Sequence, residues 1–144
     1  MIEPDTIKLL RECDAGVKMG IASIGDVLEY TGSEDLRRLL TDSRTDHETI
    51  ENELKDLLDR YGDDGKSPSA IAKGMSHMKT SMKLAMNESD ATIADLMTDG
   101  CNMGVKSLSK YLNKYKAADE QSKDIAKRLI NLEERLAIDI RPYL

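Results

Sequence analysis

Apolar residues recur at steps of three and four along most of this chain, the spacing that gives an α-helix a single buried face. The first such stretch runs from Pro4, at the N1 position that proline favours, to Tyr30, with a seam of Ile7, Leu10, Asp14, Val17, Ile21, Ile24 and Leu28. Thr31-Gly32 interrupts it. Ser33 then offers a side-chain cap, and Glu34 and Asp35 fall in the first turn of a second helix, where the helix dipole favours acids. That helix carries the seam Leu36, Leu40, Ser43, His47, Ile50, Leu54, Leu57 and Tyr61 and ends at Tyr61-Gly62. The two helices are of matching length, about 28 residues or ~42 Å each at ~1.5 Å per residue. Joined by a tight glycine turn, they form an antiparallel hairpin.

Asp63-Asp64-Gly65-Lys66 reads as a loop, after which Ser67-Pro68 starts a third helical segment that continues to about Met86. Asn87-Glu88-Ser89-Asp90 breaks the pattern with cap-forming residues. A fourth segment follows from Ala91 to Tyr115, with the seam Ile93, Met97, Gly100/Cys101, Gly104, Leu108, Tyr111 and Tyr115. Ala117-Ala118-Asp119 is a short connection with Asp119 as cap, and a last helix with Ile125, Leu129, Leu132 and Leu136 stops before Pro142. No stretch alternates as a strand does, and none repeats. Two hairpins of long helices separated by a long segment predict an all-α fold: one domain over residues 1–144, an antiparallel four-helix bundle whose single long crossover contains an extra helix at about 67–86.

Composition suits that core. Of the aromatic residues only tyrosine occurs, with no Phe or Trp, so the interior must be filled by aliphatic side chains and eight methionines. Lys plus Arg number 21 against 27 Asp plus Glu, a net charge of −6 that argues against a general nucleic-acid binder. The N-terminal Met1-Ile2-Glu3-Pro4-Asp5 has neither a basic nor an apolar leader region, and no apolar run reaches the ~20 residues that span a membrane. Cys13 and Cys101 fit no metal or redox spacing. A cytoplasmic protein with free thiols is the expectation.

Asp14, His47, Cys101 and Glu133 put a titratable or thiol group into each long helix at mid-core. Counted from the turns, Asp14 lies 18 residues before Gly32 and His47 lies 15 after it, while Cys101 and Glu133 each lie 16 from Ala117. All four therefore approach one layer. The simpler reading pairs Asp14 with His47 by a hydrogen bond, leaves Cys101 as a small apolar filler and turns Glu133 toward solvent, with Glu134 as the competing inward residue. The alternative is a single divalent metal, zinc or iron, held by Asp14, His47, Cys101 and Glu133.

In helix lengths, turn positions and the Asp99-Gly100 opening of the fourth segment, nearly the whole chain resembles the ferritin-like superfamily, in particular small rubrerythrin-related bacterial bundles of unknown function. Its di-iron members use one Glu from each of two helices and Glu-x-x-His from each of the other two. Against that set this chain has Arg44-Thr45-Asp46-His47 in the second helix, Cys101 near the expected Glu in the fourth segment, Ile130-Asn131-Leu132-Glu133 without a histidine in the last, and Asp14 in the first. The resemblance thus implies the scaffold with the di-iron site largely dismantled. A non-enzymatic binding or assembly protein that self-associates and needs no cofactor follows as the expectation.

The crossover segment is distinct. Ile71, Met75, Met78, Met82 and Met86 form a stripe, and Lys66, Lys73, Lys79 and Lys83 accompany it without an acidic residue before Met86. Packed on the bundle, the stripe is core; exposed, Met75, Met78, Met82 and Met86 with Lys79 and Lys83 would form an adaptable partner surface. Contact with a membrane surface is the lesser alternative. His77, within Ser76-His77-Met78-Lys79-Thr80-Ser81, resembles the phosphoacceptor region of histidine phosphotransfer bundles, but its Lys stands two residues on and no Gly follows. A solvated His77 is expected, with a histidine phosphotransfer module acting through it as the weakest of the functional alternatives. Gly100 and Gly104, four apart, permit close helix approach and are read as a packing device or a dimer seam.

Overall fold

A computed structural model of the chain describes residues 3–68, 80–81 and 83–144. Among these residues every regular element is helical: α1 (Pro4–Leu28), α2 (Glu34–Arg60), α3 (Asp90–Lys114), α4 (Glu120–Asp139) and a closing 3-10 turn at Arg141–Tyr143. Residues 80–81 and 83–86 are also helical. The partner surface expected at Met75, Met78, Met82 and Lys79, together with His77, lies outside the described residues. Of that surface, Lys83 pairs with Asp95 at 2.9 Å and Met86 is largely exposed.

Local chemistry sets the helix ends. Ser33, Ser89 and Asp119 each accept the backbone N–H three residues on, from Leu36, Thr92 and Ser122, which satisfies one of the amides a helix start leaves open. Arg60, Tyr61 and Gly62 close α2, and Gly62 takes the left-handed backbone (φ 67°) that a side chain would resist. The first helix is shorter than its pattern suggests. It ends at Leu28, and Glu29–Tyr30 turn the chain instead.

Two latches fix the helix directions. At one end, both carboxylate oxygens of Asp90 accept the amides of Gly32 and Ser33, at 2.8 and 3.0 Å, so the start of α3 sits beside the α1–α2 turn. At the other, Asp5 accepts the amide of Ala117 and Thr6 Oγ1 that of Asp119, which puts the α3–α4 turn beside the start of α1. Therefore α1 and α4 run one way, and α2 and α3 the other. The chain between α2 and α3 leaves at one end and re-enters at the other. Its first part climbs α1: Arg11 is paired with Asp63, Lys66 Nζ with Glu12 at 2.7 Å, and Asp14 accepts the Lys66 amide at 3.0 Å.

The interior divides into two apolar clusters. One gathers Leu9, Leu10, Cys13, Val17, Ile50, Leu54, Ile125 and Leu129; the other gathers Ile24, Leu36, Leu40, Ile93, Met97 and Leu136. Between them lies a buried polar layer, and that layer positions the site.

Candidate functional site

His47 of α2 and Glu133 of α4 meet in that layer, with His47 Nε2 3.1 Å from Glu133 Oε1. The imidazole is completely buried, and the Glu133 side chain retains 10 % exposure. On the other side of the ring, Nδ1 lies 2.7 Å from the carbonyl oxygen of Ser43, one turn earlier in α2. A carbonyl oxygen only accepts, so Nδ1 carries a proton. The Nε2 contact then needs a proton of its own between ring and carboxylate, which an imidazolium–carboxylate pair supplies. Burial pulls the His47 pKa down, but the hydrogen bond and charge of Glu133, the Ser43 carbonyl and Asp46 outweigh it, and the net direction is up from 6.5.

Two glycines make room for this pair. A Cβ on Gly20 of α1 would come within 2.8 Å of His47 Cδ2 and Nε2, and a Cβ on Gly104 of α3 would come within 3.4 Å of the Glu133 carboxyl carbon. Backbone thus closes on the pair from two helices while α2 and α4 supply the charges. Cys101 is buried on α3, and burial, then the charge of Glu133, push its thiol pKa far up. Burial likewise pushes Cys13 up to about 12. Both stay protonated and are poor nucleophiles.

The structure therefore brings together three of the four sequence candidates. Asp14 is elsewhere. Its carboxylate accepts from Lys18 Nζ at 2.8 Å and from the Lys66 amide, and Gly20, not Asp14, is the α1 residue against His47. Six residues along a helix amount to ~9 Å. The expected Asp14–His47 hydrogen bond is replaced by His47–Glu133, and Glu133 is turned inward and buried, whereas Glu134 is exposed. Asp14 instead fastens the start of the crossover: a Cβ on Gly65, which has φ +78°, would collide with its carboxylate.

These positions do not suit a di-iron centre or a four-ligand ion. One carboxylate, one imidazole and one protonated thiol occupy the layer, and both ring nitrogens of His47 are already engaged by Ser43 and Glu133. Among the described residues no group of three or more His, Cys, Asp or Glu could hold a metal ion.

Apolar periodicity gives no warning of the space beside the pair. A cavity of about 380 Å³ lies between α1 and α3, with Gly16, Gly20, Gly100 and Gly104 thinning its walls and Cys101 and Glu133 on its inner side. A signal for it does exist in the sequence: Gly16 and Gly20 repeat on α1 the four-residue spacing of Gly100 and Gly104. Spacing that suggests close packing leaves a gap instead. At another part of the cavity wall, Glu12 and Lys66 pair with each other, and Tyr111 lines the same cavity. Among the described residues no helix is long and apolar enough to cross a membrane. No protein-family model, curated protein or solved structure matches this chain.

Proposed function

We propose that this chain is a ferritin-like bundle that keeps the scaffold without a di-iron centre and works as a non-enzymatic binding protein, seating a small ligand between α1 and α3. The carrying observation is the cavity of about 380 Å³ whose inner wall includes Glu133, the carboxylate of a buried ion pair. Its volume falls within the ~300–1,000 Å³ of small-molecule sites, which combine apolar walls with a few placed polar groups. Replacing a buried ion pair by apolar residues of similar volume is often neutral or stabilising, so stability alone gives little reason for the charges of His47 and Glu133. The ferritin-like part rests on helix order: α1 and α4 run together against α2 and α3, the arrangement with one long crossover. Binding rather than catalysis fits the neutral thiols and the doubly engaged imidazole, which leave no free base or nucleophile among these residues.

Gly100→Leu tests the reading. A Cβ at Gly100 meets nothing within 4 Å, so a larger side chain can enter the cavity without displacing backbone, and the helix gains from losing a glycine. The folded protein as isolated is expected to carry a noncovalent small molecule in native mass spectrometry, or to take one up from a compound mixture. Gly100→Leu should retain its fold and lose that mass. Equal loading of both proteins would remove the cavity from consideration.

A further inference from the structure

We infer that the ligand of this cavity is an apolar molecule ending in a protonated amine, and that the amine is held by Glu133. This assignment rests on the reading of the cavity as a ligand seat. Three charged residues line the cavity among those described: Glu12, Lys66 and Glu133. Glu12 and Lys66 neutralise each other at 2.7 Å. Gly20, against the Glu133–His47 pair, lies eight residues beyond Glu12 on α1, ~12 Å along the axis. Among the described residues the cavity therefore offers an ion pair with both members on its wall at one end, and at the other a carboxylate whose partner, His47, does not line it.

The positive partner of that carboxylate is hidden. His47 is fully buried and does not line the cavity, and it engages Glu133 through Oε1. A carboxylate has about four acceptor positions; His47 uses one of them, on Oε1. What a ligand meets is thus acceptor oxygen in a largely apolar wall. An ammonium group there makes a charge-assisted hydrogen bond. An alcohol makes a weaker neutral one, and a carboxylate places like charge against like. The rest of the wall suits hydrocarbon: Met19, Met97, Met103 and Leu108 add apolar surface beside the glycines, and methionine adapts to varied apolar shapes.

Three eight-carbon probes of the same body separate the possibilities: n-octylammonium, 1-octanol and octanoate, titrated calorimetrically into the full-length protein at pH 7 below their aggregation limits. Octylammonium is expected to bind about tenfold or more tighter than octanol, since a charged hydrogen bond exceeds a neutral one by about 1.4 kcal/mol or more, with octanoate weakest. Glu133→Gln, checked for helicity by circular dichroism, should erase the preference for the amine. Should that variant fail to fold, the ranking on the unaltered protein decides alone. Octanol or octanoate binding as tightly as octylammonium, or an amine preference that survives Glu133→Gln, would overturn the assignment while leaving the cavity as a ligand seat. No binding by any of the three, with Gly100→Leu indistinguishable from the unaltered protein, would overturn the seat itself.

Discussion

His47 and Glu133 are each conditioned by the other. Removing one partner of a buried ion pair strands the second charge, which costs about 3–5 kcal/mol, whereas replacing both by apolar groups is often neutral. His47→Leu is therefore expected to lower the unfolding free energy in urea by about that amount, and adding Glu133→Leu should restore most of it. The pH dependence has a definite sign. The folded pKa of His47 is raised above 6.5, so its contribution to stability is fully present below 6.5 and is lost as pH rises through the folded value. Urea midpoints should accordingly fall across that interval, and His47→Leu should flatten this part of the curve. At this scale the sequence was partly legible. Helical period placed Asp14, His47 and Cys101 inside and left Glu133 to solvent, whereas all four are buried. It did not fix which of them touch, because a pairing register counted from Gly32 assumes equal overhang on both helices, and the real register sets Gly20 against His47.

Between helices, glycine does two different jobs. At Gly20 it admits a fully buried imidazole, and a methyl group 2.8 Å from that ring has to displace it. At Gly100 the same methyl meets open space. Gly20→Ala should thus destabilise by about 1–3 kcal/mol through overpacking, while Gly100→Ala should stabilise by about 0.5–1 kcal/mol through helix propensity. Thermal melts of the two variants should move in opposite directions. Helix starts were readable because a cap is local chemistry: Ser33 and Asp119 cap where their side chains predict. The end of α1 was not, since no glycine marks the stop at Leu28 and the turn at Glu29–Tyr30 is closed by Thr31, whose amide and hydroxyl both bond the Leu28 carbonyl.

For the whole molecule, helix direction is the property on which the site depends, because it brings the middle of α4 against the middle of α2. Spin labels at Lys8→Cys and Lys116→Cys, both exposed positions, report it. The latch between Asp5 and Ala117 puts these sites at the same end; an up-down-up-down order would separate them by roughly 30 Å, the rise from Lys8 to the end of α1 at Leu28. A short dipolar distance is expected. The bundle itself was legible from matched helix lengths and the long segment after α2, whereas the cavity was not, since pattern counts apolar positions and a cavity is an absence of side chains. The central claim is that a protonated His47 sits against Glu133 under that cavity. Its most direct test is a nitrogen-15 NMR titration of the two imidazoles, with His77→Gln to assign them. His47 is predicted to remain an imidazolium above pH 6.5, with both nitrogens protonated, and Glu133→Gln to bring its pKa down. A His47 that is neutral throughout the neutral range and indifferent to Glu133→Gln would contradict the claim.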